Sequence, residues 1–244
     1  MPDCLTMPCL VIEPPAARYA KILEIQLALW SRVVGGDEQV PSAIVLVEHR
    51  PVITIGAGAD DGSSVPKPEL LEALGVEVAN IDRGGQATYH GPGQIVAYPI
   101  LNLQKAGMDV HEYLRQLEDA VIDMLADYSI EGERHGLAGV WVGDKKVCSI
   151  GIAVRRWVTY HGLALNVDPN MSHFALIKPC GLAPNQITSM KELLGQAPDF
   201  GEVKRRLTNH LCSRLSLEIM SDAVAEPIVR QMLLQCAAEG SRAA

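Results

Sequence analysis

Arg83-Gly84-Gly85-Gln86-Ala87-Thr88-Tyr89-His90-Gly91-Pro92-Gly93-Gln94-Ile95-Val96-Ala97-Tyr98 is the stretch around which the rest of the chain is best read. Four glycines and a proline fall in its first eleven residues, interleaved with an arginine, a glutamine, a tyrosine and a histidine. Such a segment lets backbone come close to a ligand and offers N–H groups to an anion or a carbonyl. It is not a phosphate-binding P-loop, because no Gly-Lys-Ser/Thr follows at the required spacing, and no helix opens behind it as a dinucleotide fingerprint demands. Instead the run Gln94-Ile95-Val96-Ala97-Tyr98-Pro99-Ile100 is β-branched and aromatic and reads as a strand.

Working outward, residues 9–12, 43–49, 51–56 and 76–81 read as strands, and 57–68 as an irregular loop. Apolar residues at three- and four-residue steps predict a helix over 16–34, closed by Gly35-Gly36, and a strong helix over 109–128 with Asp109 as N-cap. Residues 68–75 form a short helix, with proline near its start and glycine after its end. Gly143-Asp144-Lys145 joins two apolar runs, 138–142 and 146–152, into a hairpin, and 158–167 is a further strand. Residues 174–185 make a loop interrupted by proline and glycine, and helices are expected over 200–219 and 226–236. Strands gathered in the middle, with helices before, between and after, predict an α+β fold. One domain over 1–244 is expected, with a mixed, largely antiparallel sheet and a C-terminal helical segment over 200–236.

The 244 residues are 48% hydrophobic and 20% charged, enough for a substantial core, and aromatics at 5% leave the packing to aliphatic side chains. A net charge of −8 argues against a general nucleic-acid or membrane-surface binder. The six cysteines, at 4, 9, 148, 180, 212 and 236, are too few for a disulfide scaffold and lack zinc spacing. The first residues lack the basic and apolar regions of a signal peptide, and no apolar run is long enough to span a bilayer, so a cytoplasmic protein is expected.

Cys180 is the best nucleophile on local grounds, since Pro179 fixes the backbone before it and Gly181 frees it afterwards, in a loop and not in a core run. Its thiol needs a nearby cation to ionise at neutral pH. The string RGGQATYHGPGQIVAYPI closely resembles the signature of the lipoyl(octanoyl) transferases, which move an octanoyl group from acyl carrier protein to a lysine of lipoyl-bearing domains. Lipoate and biotin protein ligases share that family's fold but differ after the histidine, where this chain has Gly91-Pro92-Gly93. The resemblance covers roughly residues 40–195. It implies a biotin/lipoate protein ligase-like fold, an acyl-enzyme thioester on Cys180, and a catalytic lysine at Lys146, the start of the strand leading to Ile150-Gly151. Strand alternation turns Lys145 to the other face. Protonated, Lys146 lowers the thiol pKa; neutral, it accepts a proton.

By the same resemblance, Arg83, Gly84, Gly85, Gln86, Ala87, Thr88, Tyr89 and His90 line the octanoyl and thioester pocket, with Ser149, Ile150, Gly151, Gly162, Leu163 and Ala164. The backbone N–H of Gly181 is a candidate oxyanion donor. His90 and His161 are either structural, bonded to a glycine-rich loop, or members of a Cys/His dyad. The implied partners are octanoyl-acyl carrier protein, the lipoyl domains of 2-oxoacid dehydrogenases and the glycine cleavage H protein, all acidic. Arg134, Lys145, Arg155 and Arg156 could form a basic patch for them. No metal or other cofactor is implied, and a monomer is expected. The readings set against this one are an ATP-dependent lipoate or biotin ligase, a thiol hydrolase, an octanoyl amidotransferase and a non-catalytic acyl-binding module.

Overall fold

Eight residues of β6 (Gln94–Leu101), nine of β9 (Val158–Asn166) and six of β2 (Ser42–Val47) are buried without exception. Strands apolar on both faces must be covered on both. On one side Val45, Val47, Val96, Tyr98 and Ile100 pack against α1 (Tyr19–Gly35) and α6 (Asp222–Gly240). On the other, Ile44, Leu46, Ile95, Ala97 and Leu101 pack against α3 (Val110–Ala126) and α5 (Phe200–Arg214). The result is a three-layer α/β/α arrangement in a computed structural model that describes residues 6–58, 67–177 and 184–240.

The main sheet has the order β10-β1-β2-β6-β9-β8-β7, where β1 is Met7–Ile12, β7 Gly139–Val142, β8 Lys145–Arg155 and β10 Leu217–Ile219. β1 is parallel to both neighbours and the remaining pairs are antiparallel, so the sheet is mixed and largely antiparallel, as expected. A second sheet adds to that expectation. Its order is β4-β3-β5, with β3 Val52–Ile55, β4 Glu77–Asn80 and β5 Ala87–His90. The short helix α2 (Pro68–Leu74) feeds β4, with proline at its start and Gly75 closing it in the left-handed conformation.

Local signals set most boundaries. The Asp109 carboxylate accepts from the Glu112 N–H at 2.7 Å, capping α3. Gly36, at φ +73°, ends α1. Gly91 to Gln94 is a turn closed by Gln94 N–H on the Gly91 carbonyl at 3.2 Å, and Gly93 at φ +88° meets the turn's need for positive φ. The helix expected over 200–219 requires correction. Here α5 stops at Arg214, Ser216 takes φ +53°, and Leu217–Ile219 becomes an edge strand on β1. The C-terminal segment is therefore not wholly helical.

Candidate functional site

The glycine-rich stretch holds the two sheets together. On one side Gly56, Ala57 and Gly58 donate backbone N–H groups to the carbonyls of Gln86, Arg83 and Gly85; on the other, Gly84 N–H reaches the Ile152 carbonyl of β8 at 3.0 Å. Between the sheets lies a cavity of about 260 Å³. From the glycine-rich stretch and β5, Arg83, Gly84, Gly85, Ala87, Thr88 and His90 line it; from β8, Lys146, Ser149, Ile150 and Gly151; from β9, His161, Gly162, Leu163 and Ala164. Gln86 and Tyr89 are not among its lining. Gln86 serves the sheet junction through its carbonyl, and Tyr89 packs edge-on against His173 and Phe174, with centroids 4.9 and 5.5 Å away. The strand β8 is half-exposed from Ser149 to Val154, where it passes the cavity.

One end of the cavity is polar and densely hydrogen-bonded. His161 takes φ +57° inside β9, a conformation that costs a non-glycine residue about 1–3 kcal/mol. Its N–H is held by Gln26 Oε1 at 2.9 Å, its Nε2 by Asp82 Oδ1 at 3.1 Å, and its Nδ1 by the Tyr19 hydroxyl at 3.1 Å. A carboxylate only accepts, so the network assigns the proton to Nε2 and makes Tyr19 the donor to Nδ1. Tyr160 also donates to Asp82. Next to this chain, His49 Nε2 meets the Tyr98 hydroxyl at 2.8 Å, and the His49 ring stacks on Tyr19 with centroids 5.2 Å apart. His90 Nδ1 faces Gln94 Oε1 at 3.3 Å, and Gln94 in turn donates to Asn166.

Burial, reinforced by His49 and the Arg83 charge, holds the His90 imidazole well below its ordinary pKa. Burial likewise lowers His161, partly offset by Asp82, and holds His49 down at about 4. Arg83 is itself buried; its guanidinium bonds the Thr54 carbonyl and hydroxyl at 3.0 and 2.9 Å and the Gly84 carbonyl at 2.9 Å. These histidines are neutral at physiological pH.

The other end centres on Lys146, 4% exposed. Its Nζ donates to the Ala138 carbonyl at 2.8 Å and stands 5.2 Å from the Trp141 ring centroid. Lys145, its neighbour, is exposed, as alternation requires. The Lys146 carbonyl accepts from Thr188 N–H at 3.0 Å, and Ile187 bridges to Lys146 and lines the cavity. Residues 187 and 188 are thus held against Lys146. Cys180 and Gly181 lie outside the described residues. Cys148, two residues from Lys146, is fully buried, and burial pushes its thiol up to about 12, so it is inert at neutral pH. Cys9 and Cys212 are buried as well.

Several lining residues escaped the sequence reading. Tyr19 and Tyr98 look like ordinary members of an apolar helix face and a buried strand. Leu114, Leu137 and Ala138 carry no chemical signal at all, and only the tertiary fold brings them to the cavity. Of the proposed basic patch, Arg134 is engaged in ion pairs with Glu118 and Asp119, and Arg155 lies over the Trp30 ring.

Residues 18–212 match the lipoyl protein ligase A/B catalytic domain. The chain belongs to that family. An octanoyltransferase of Chloroflexus aggregans is 49% identical over 203 residues, covering 82% of this chain and 91% of the relative. Another, of Syntrophobacter fumaroxidans, is 44% identical over 194 residues, covering 79% and 84%. Among solved structures, a lipoate-protein ligase A bound with ATP superposes with a TM-score of 0.73 at 16% identity, covering 93% of this chain and 94% of that one. A putative lipoate protein ligase from T. acidophilum with bound lipoic acid does so equally, with coverage of 94% and 95%. At that identity the likeness shows the shared family fold alone. Among the described residues no helix is long and apolar enough to cross a membrane.

Proposed function

We propose that the chain is an acyltransferase that carries an octanoyl group from an acyl carrier protein thioester, through Cys180, to the lysine of a lipoyl-bearing domain. The identity of 44–49% to octanoyltransferases supports the reaction class. The observation that carries the reading is Lys146. It is a buried amine at the edge of a largely apolar cavity, hydrogen-bonded through its backbone to the segment that ends the Cys180 loop. In the sequence only Lys178 and Pro179 stand between Cys180 and Ile177, which packs in one cluster with the cavity residues Ala87 and Ile187.

In the first step the Cys180 thiolate attacks the octanoyl carbonyl. The bond to the carrier's sulfur breaks, and the carrier leaves as a thiolate that takes up a proton. In the second, the neutral amine of the acceptor lysine attacks the Cys180 thioester, an amide forms, and Cys180 leaves as thiolate while the amine loses its proton. Lys146 as ammonium stabilises the thiolate at both ends of this cycle, and as free amine it accepts the proton from the acceptor. The acyl chain occupies the cavity between β5, β8 and β9, with its lining residues in substrate contact. The buried histidines at the far end act as wall and not as base. The acceptors are lipoyl domains of 2-oxoacid dehydrogenases and the glycine cleavage H protein.

The test is transfer to a purified lipoyl domain, read by the acceptor's intact mass. Octanoyl-acyl carrier protein without ATP should octanoylate the acceptor lysine. Octanoylation only from free octanoate plus ATP would instead make the chain a ligase.

A further inference from the structure

α3 presents an apolar face to the core, with Tyr113, Leu117, Val121 and Met124 fully buried, yet Glu118 on that face is buried too, 6% exposed. A carboxylate in such a place costs free energy unless it is fully bonded. Its Oε2 accepts from Arg134 Nε at 3.0 Å, and Arg134 also pairs with Asp119. Its Oε1 accepts from the Gly139 N–H at 3.1 Å. The carbonyl of the same peptide group, Ala138, is the acceptor for Lys146 Nζ at 2.8 Å. In a trans peptide the N–H and the C=O point in opposite directions, so one peptide unit stands between the carboxylate and the amine. The fit is close. Gly139 takes φ +134°, and a Cβ there would stand 2.7 Å from Lys146 Cε.

We propose that Glu118 is a positioning residue for Lys146. Its carboxylate, clamped by Arg134, fixes and polarises the Ala138–Gly139 peptide, and the carbonyl of that peptide holds the amine at the cavity edge. A hydrogen bond given to an anion at the N–H strengthens the carbonyl as an acceptor, because bonded dipoles polarise one another. The inference rests on the reading above, in which Lys146 activates Cys180.

The experiment is the rate of carbamidomethylation of Cys180 by iodoacetamide across pH, read on the Cys180 peptide by mass spectrometry, in a double-mutant cycle of Glu118→Gln and Lys146→Met. Lys146→Met keeps the buried stem and should slow alkylation at neutral pH about 10-fold or more, the effect of a thiol pKa raised by one unit or more. Glu118→Gln should slow it roughly 3- to 10-fold, within the coupling of groups that share one hydrogen-bond network, and should move the profile to higher pH. The sign discriminates. An anion acting directly on the thiol would, once removed, speed alkylation, so slowing excludes that direct action. In the Lys146→Met background Glu118→Gln should cause no slowing.

Equal slowing in both backgrounds would make Glu118 merely structural and overturn the proposal. So would unchanged or faster alkylation in Glu118→Gln while Lys146→Met is slow, leaving the reading of Lys146 intact. If Lys146→Met itself reacts like the parent, both fall. Should Glu118→Gln fail to melt cooperatively, Arg134→Gln, at a 40% exposed side chain, tests the same chain. It should slow alkylation about 2-fold with Lys146 present and not at all without it, and the opposite result overturns the proposal.

Discussion

The two ends of the cavity are built on opposite plans. At one, Tyr19, His161 and Asp82 are joined in an unbroken hydrogen-bonded chain, Tyr98 and His49 form a second bonded pair packed against it, and burial keeps the imidazoles neutral. At the other, the Lys146 amine donates to the Ala138 carbonyl and stands over the Trp141 ring. A hydrogen-bonded network stabilises a shape, whereas a buried amine at the edge of an apolar cavity is placed for proton transfer. On the proposed reading the histidine cluster serves architecture and the Lys146 end serves the chemistry.

Substitutions at the two ends should separate along that line. Lys146→Met is expected to lower octanoyl transfer roughly 10²- to 10⁴-fold, the range for loss of a general acid–base group, while cooperative melting is retained. Comparable loss from His161→Gln with unchanged stability would break the contrast.

The histidine end should instead appear in stability against pH. The unfolded imidazole titrates near 6.5, whereas His49 in the fold is held down to about 4. Between those values the unfolded state takes up a proton that the folded state refuses, so stability is present above about pH 6.5 and falls as the pH drops towards 4, by about 3 kcal/mol from His49 alone. His49 Nδ1 has no hydrogen-bond partner among the described residues, which is why protonation there is unfavourable. Urea unfolding at pH 7 and pH 4.5 measures the loss, and His49→Gln should reduce it.

The smallest effect is expected at the network's outer edge. Asp82 is 64% exposed in its side chain, and water can replace it as an acceptor for Tyr160 and His161. Asp82→Ala should cost about 1 kcal/mol in thermal stability and leave transfer within roughly 3-fold of the parent. A larger loss of activity would move part of the chemistry to the histidine end.

Much of this was legible in the sequence, for reasons that can be named. Continuous β-branched runs identified β2, β6 and β9, because strands covered on both faces leave no polar alternation. Asp109 and Gly36 marked helix ends through local chemistry. The stretch over 200–219 misled because Leu207, Leu211 and Leu215 keep helical spacing up to Ser216, whose positive φ no side chain announces. The turn at Arg156-Trp157, with φ +52° and +63°, lacks glycine and was silent for the same reason. In the site, the family motif picked out the glycine-rich stretch and the strands β8 and β9. It was blind to Asp82, Glu118 and His49, which stand far apart in the chain and gain meaning only when the sheets bring them to His161, Lys146 and Tyr98.

Whether Cys180 receives the acyl group is read from the intact mass of the protein after mixing with octanoyl-acyl carrier protein, without ATP, in the parent and in Cys180→Ser. A gain of one octanoyl group that hydroxylamine removes, seen in the parent and absent from Cys180→Ser, is the predicted result. The same adduct surviving in Cys180→Ser, or no adduct in either protein while transfer proceeds, would contradict it.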